Sequence, residues 1–75
     1  MKNKLECING WVKIQRIIDE ENKESVKITT NIDDDGEMSL TLSYDCKIKA
    51  DKSFENLSKS NPDKLKLGVM QMLGF

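Results

Sequence analysis

From Met38 onward the chain alternates apolar and polar residues without error. Met38, Leu40, Leu42, Tyr44, Cys46, Ile48 and Ala50 fall on one side, and Ser39, Thr41, Ser43, Asp45, Lys47 and Lys49 on the other. A period of two is that of an extended strand with one dry and one wet face, whereas a helix would scatter the same residues around its circumference. The period also occurs just upstream, where Val26, Ile28, Thr30 and Ile32 alternate with Lys27, Thr29 and Asn31. Between the two runs stands Asp33-Asp34-Asp35-Gly36-Glu37. Aspartates tolerate turn conformations and glycine reaches positive φ, so the pair is expected to form a hairpin, with strands at about 25–32 and 38–49.

The segment from Trp11 to Ile18 admits two readings. Trp11, Ile14 and Ile18 would line one face of a helix capped by Asn9, while Val12, Ile14 and Ile18 alternate as in a strand, interrupted by Arg16. The β-branched content of Val12, Ile14, Ile17 and Ile18 favours a strand over 11–18. Asp19 to Glu24 then becomes the loop of a second hairpin, and Lys4 to Ile8 adds a short leading strand joined through Asn9-Gly10.

Beyond Ala50 the period lengthens. Asn61-Pro62-Asp63 is a helix start, because asparagine caps, proline suits the first helical position and aspartate favours the positive end of the helix dipole. Leu65, Val69, Met72 and Leu73 form one stripe, widened by Leu67 and Met70, and Gly74 supplies a stop. A helix over about 62–73 should therefore lie across the dry face of the sheet, with a shorter turn around Phe54 and Leu57 bridging strand and helix. The expected fold is α+β: an antiparallel meander of three to four strands with a C-terminal helix packed on one face, forming a single small domain over residues 1–75. Its candidate core is Val12, Ile14, Ile18, Val26, Ile28, Ile32, Met38, Leu40, Leu42, Tyr44, Phe54, Leu57, Leu65, Val69, Met70, Met72 and Leu73.

Several function classes fall away on composition. Twelve basic residues against 13 acidic ones exclude a globally basic nucleic-acid binder, and no apolar run approaches the ~20 residues of a membrane span. A cytoplasmic location is the expectation. Cys7 and Cys46 stand apart with no CxxC and no histidine anywhere in the chain, so no zinc site or redox motif is written here. Two buried or half-buried thiols are expected, with a Cys7–Cys46 disulfide as the alternative. Asn31-x-Asp33-x-Asp35-Gly36 matches the first half of a calcium loop, but the position that should carry a bidentate glutamate is Leu42. A solvated acidic tip is expected, with a weak calcium site as the alternative; no cofactor and no metal is assigned. The remaining carboxylates cluster in loops rather than in a cleft that would shift their pKa, and no phosphate loop or nucleophile elbow is present, so catalysis is not expected.

The wet face carries the functional expectation. If Val12 and Ile14 point inward, Trp11, Lys13, Gln15 and Ile17 point outward beside Lys27, Thr29 and Asn31, and beside Ser39, Thr41, Ser43, Lys47 and Lys49 on the long strand, with Asp45 as the sole carboxylate. A tryptophan ringed by lysines suits an anchor in a protein pocket or a stacking platform for a base. One arginine, acidic loops and few stacking residues argue against nucleic acid. The chain is therefore expected to be a non-enzymatic binding protein that occupies a surface of a larger host protein. Trp11, Lys13, Lys27, Lys47 and Lys49 are its first contact residues, and Asp33, Asp34 and Asp35 its second. Residues with AT-rich codons (Ile, Lys, Asn) fill 24 of 75 positions against seven for Ala, Gly, Pro and Arg, which points to an AT-rich bacterium or its phages and to an inhibitor from a mobile element. The alternatives are a module binding a nucleotide or single-stranded nucleic acid on the lysine face, and a structural subunit of an assembly. A homodimer burying an edge strand or the Met-rich helix would add stability to so small a core.

Overall fold

The computed structural model describes residues 2–8, 10–33 and 35–74. Four strands, β1 (Lys2–Cys7), β2 (Gly10–Ile18), β3 (Glu24–Asn31) and β4 (Glu37–Tyr44), precede two helices, α1 (Lys47–Ser58) and α2 (Pro62–Met72). The strands form one antiparallel sheet in the order β1-β2-β3-β4, a meander in which every strand pairs with its neighbour in sequence. Both helices pack on the same face, α1 against β2, β3 and β4, and α2 against β1 and β2. The α+β class and the antiparallel meander are as expected, with four strands and, where one C-terminal helix was expected, two. The segment with two readings, Trp11 to Ile18, is a strand.

Each turn has a local cause. At the β2–β3 turn, one oxygen of the Asp19 carboxylate accepts the backbone N–H groups of Glu21 and Lys23, both at 2.9 Å, while the other accepts the hydroxyls of Ser25 and Ser43 at 3.1 and 2.9 Å. Asn22 adopts φ +65°, the left-handed conformation that asparagine tolerates best among residues with a side chain. The β3–β4 hairpin closes with Ile32 N–H donating to the Gly36 carbonyl at 2.9 Å. Where β2 begins, Gly10 has φ +150°, and a Cβ there would lie 2.0 Å from Asn31 Oδ1, so only glycine fits. Asn9, the other half of the expected Asn9-Gly10 turn, lies outside the described residues. The α2 start matches the sequence reading: Asn61 Oδ1 accepts from the backbone of Asp63 and Lys64, with Pro62 at the first helical position.

The strand expected over 38–49 is shorter. It ends at Tyr44, and residues 47–58 form α1, a full three-turn helix where only a bridging turn was expected. Register explains the stop. Glu24 is the first residue of β3 and pairs with Tyr44, so residues 45–49 would lie beside the 19–23 loop with no strand to accept their backbone hydrogen bonds. Helical winding instead turns Ala50 and Phe54 onto the sheet, where both are buried, and leaves Ile48 68% exposed and Cys46 exposed ahead of the helix.

Val12, Ile14, Val26, Ile28, Phe54 and Val69 form the core, edged by Leu5, Cys7, Leu40, Leu42, Tyr44, Leu57 and Leu65. Ile18, Met72 and Leu73, expected inside, are exposed, Ile18 at the end of β2 and Met72 and Leu73 at the end of α2. The inward face also holds the one arginine. Arg16, whose side chain is only 8% exposed, donates to Glu24 and to Asp51 of α1 at 2.9 Å, and to the carbonyls of Ile17 and Ser25. A planar five-donor guanidinium suits such a convergence of acceptors, and Glu24, followed by Asp51, raises its pKa further.

Candidate functional site: the open face of the sheet

Because both helices cover one face, the other is left bare, and among the described residues no element packs on it. Register places four rows across it. The first runs Glu6, Trp11, Asn31, Glu37; the second Lys4, Lys13, Thr29, Ser39; the third Lys2, Gln15, Lys27, Thr41; the fourth Ile17, Ser25, Ser43. Hydroxyls tie the far strands together: Thr29 and Ser39 bond directly at 3.0 Å, and Ser25 and Ser43 are joined through the Asp19 carboxylate to which both donate.

Trp11 stands at one end of this surface, in its first row. It is half-buried, and the ammonium groups of Lys4 and Lys13 lie 5.4 and 5.3 Å from its ring centroid. Lys4 and Lys13 are direct cross-strand partners, a like-charge arrangement that destabilises a sheet unless something offsets it. The electron-rich ring of Trp11, within reach of both ammonium groups, is that offset. Among the described residues neither lysine forms an ion pair with a carboxylate, and the same holds for Lys2 and Lys27 on the next row. The backbone of Trp11 is held independently. Its N–H donates to Asn31 Oδ1 at 2.9 Å and its carbonyl accepts from Thr30 Oγ1 at 2.8 Å, so side-chain groups of β3 replace the ladder bonds where the β2–β3 pairing ends.

Acidic groups border the lysine rows at both ends. A shallow depression beside Trp11 is lined by Asn31, Asp33, Asp35, Gly36 and Glu37; another at the opposite end is lined by Ile17, Asp19, Glu20, Glu21, Lys27 and Ser43. The carboxylate inventory of the face therefore differs from the expected one: Asp45 is not on it, whereas Glu6 and Glu37 are. Asp19 is kept below the ordinary carboxylate range, chiefly by the Lys23 N–H and further by the hydroxyls of Ser43 and Ser25, so the turn at that end stays anionic.

Of the residues expected to make contact, Trp11, Lys13 and Lys27 share the open face, and Asp33 and Asp35 stand at its Trp11 end. Asp34 lies outside the described residues. Lys47 and Lys49 are corrected: they belong to the first turn of α1, in the helical layer, because the strand that would have carried them stops at Tyr44. Lys49 is paired with Asp45 at 3.0 Å, and hydrogen bonding between the two raises the lysine pKa and lowers that of the aspartate. Lys4 and Lys2 take their place in the lysine rows. Their signal in sequence was weak, since β1 carries only Leu5 and Cys7 on its inward side.

The calcium alternative loses its first ligand. Asn31 Oδ1 is turned to the Trp11 N–H and to the Lys66 ammonium of α2 at 3.0 Å. Both cysteines are free; Cys7 is half-buried, and burial first, then the nearby Asp63, pushes its thiol pKa up and away from nucleophilic use. Among the described residues no helix is long and apolar enough to cross a membrane. No family model matches the chain, and neither a curated protein nor a solved structure matches it.

Proposed function

We propose that the chain is a non-enzymatic binding protein that lays its open sheet face on a larger protein and, by occupying that surface, inhibits it, as a phage or mobile-element product directed at a host system would. The observation that supports this reading is Trp11 flanked by Lys4 and Lys13 on an uncovered sheet. A large flat apolar group already ordered by its neighbours gives up little side-chain entropy on binding, and the surrounding amines and hydroxyls form a polar rim. The lysine rows call for carboxylates on the partner, and Asp33, Asp35 and Glu37 beside the ring call for a cation there. This mixed pattern fits a protein better than a phosphate backbone, which the acidic ends would repel.

Affinity capture with the tagged chain from a nuclease-treated lysate of an AT-rich bacterium tests the reading, with Trp11→Ala in parallel. The expected result is a host protein retained by the wild type at moderate salt and lost with Trp11→Ala. The second reading, a nucleotide or single-stranded nucleic acid, draws on Lys2, Lys4, Lys13 and Lys27, which form no ion pair with a carboxylate among the described residues. It requires that binding fall steeply with ionic strength and that Lys2, Lys4, Lys13 and Lys27 each contribute comparably.

A further inference from the structure

The two edges of the sheet are built differently. Bonding alternates along an antiparallel ladder, and the Ile32 to Gly36 bond fixes the phase between β3 and β4: Met38, Leu40, Leu42 and Tyr44 bond to β3, while the N–H and C=O groups of Glu37, Ser39, Thr41 and Ser43 point away from the sheet. On the other edge the same phase, set by the Asp19 to Lys23 bond, makes Lys2, Lys4 and Glu6 the outward-pointing residues of β1. Every outward position of β1 is therefore charged, the usual guard against strand addition. On β4 the residues from Met38 to Tyr44 carry no charge, proline or bulge, and their outward groups sit beside small hydroxyl side chains.

We propose that β4 is a self-association edge, which pairs antiparallel with β4 of a second copy of this chain about a two-fold axis at Leu40 and continues the sheet to eight strands. The occupant follows from self-complementarity. With Leu40 on the axis, Leu40 faces Leu40 and Met38 faces Leu42 on the helical side, Ser39 faces Thr41 on the open side, and Glu37 faces Ser43, so no charge meets a charge within the strand; just beyond it the register brings Asp35 toward Asp45, whose charge is offset by its ion pair with Lys49. Ser39 already forms such a hydroxyl pair with Thr29 across the β3–β4 ladder. Leu40 and Leu42, only half-buried at the rim of the core, become covered from the side. A two-fold normal to the sheet keeps both open faces on one side of the assembly.

The test is the mass of the full chain by sedimentation or light scattering across a concentration series, with amide exchange read at Ser39, Thr41 and Ser43. The wild type is expected at twice the chain mass at high micromolar concentration, with those three amides protected. Thr41→Pro removes an outward donor and leaves the bonds to β3 intact, so it should halve the mass while retaining the circular dichroism spectrum. Thr41→Lys, which needs no backbone change, should do the same and decides the matter if the proline variant fails to fold. A wild type that stays at the mass of one chain throughout, or a dimer that Thr41→Lys leaves intact with fast exchange at the three amides, would overturn the proposal. Neither result depends on whether the open face binds a host protein.

Discussion

Replacing Arg16 with methionine keeps the linear stem and removes the guanidinium, and its consequence can be worked from the contacts. Four acceptors converge on that group: Glu24, Asp51 and the carbonyls of Ile17 and Ser25. Breaking a fully buried ion pair by deleting one partner costs about 3–5 kcal/mol. Here the arginine side chain is 8% exposed, but the Glu24 and Asp51 side chains are 30% and 41% exposed and recover part of their hydration when abandoned, which brings the expected loss to about 2–3 kcal/mol. In a domain of this size about 1 kcal/mol moves Tm by roughly 4–8 °C, so Arg16→Met should melt on the order of 10–20 °C below wild type. The assay is thermal unfolding by far-ultraviolet circular dichroism at one fixed low concentration, since self-association would make Tm depend on concentration. A double-mutant cycle with Asp51→Asn separates the helix-to-sheet pair from the rest. The two losses should be strongly non-additive, because the second removes a partner already stranded by the first. A Tm for Arg16→Met within about 3 °C of wild type would refute the idea that this cluster fastens α1 to the sheet.

Gly10→Ala should destabilise the chain by more than about 2 kcal/mol in urea unfolding, because the new Cβ drives the Asn31 side chain out and sets an alanine at φ +150°. Asp19 has a depressed folded pKa, so the stability it contributes is present above its ordinary value near 3.8 and is lost as pH falls through the lower folded value; Asp19→Asn should flatten that acid limb of a pH series of unfolding midpoints. Once a partner is in hand, Trp11→Ala should weaken binding about 30-fold or more by calorimetry, whereas Lys47→Ala and Lys49→Ala should leave it within about twofold, as expected for residues of the helical layer.

Much of the architecture was legible from period alone. The β3–β4 hairpin, the strand over 11–18 and the capped start of α2 each rest on local chemistry that tertiary packing did not override. The long strand was misread because Cys46, Ile48 and Ala50 extend an alternation that Ala50, Phe54 and Leu57 equally satisfy as a helical stripe. Register arithmetic would have settled the matter, since a hairpin closing at Ile32 and Gly36 places residues 45–49 opposite a loop already recognised as polar. Arg16 looked like an interruption of a strand pattern and is instead an inward charge whose acceptors come from 8 and 35 positions away, a separation no local pattern reports. The candidate site was half legible. Trp11, Lys13 and Lys27 follow from alternation, whereas Lys4 meets the ring only because β1 pairs with β2 at a register that its short, highly charged sequence does not disclose.

One amide oxygen joins the two sides of the sheet. Asn31 Oδ1 accepts both the Trp11 backbone N–H and the Lys66 ammonium of α2, so the strand segment that carries the aromatic ring and the helix behind it share a single acceptor. Any partner that lifts or tilts the Trp11 backbone changes the hydrogen bonding at that oxygen, and with it the surroundings of the Lys66 ammonium. Occupancy of the open face is thus open to detection from the helical layer of a sheet only one residue thick, and the side-chain resonance of Lys66, which meets that face through Asn31 alone among the contacts described, is the place to listen for it.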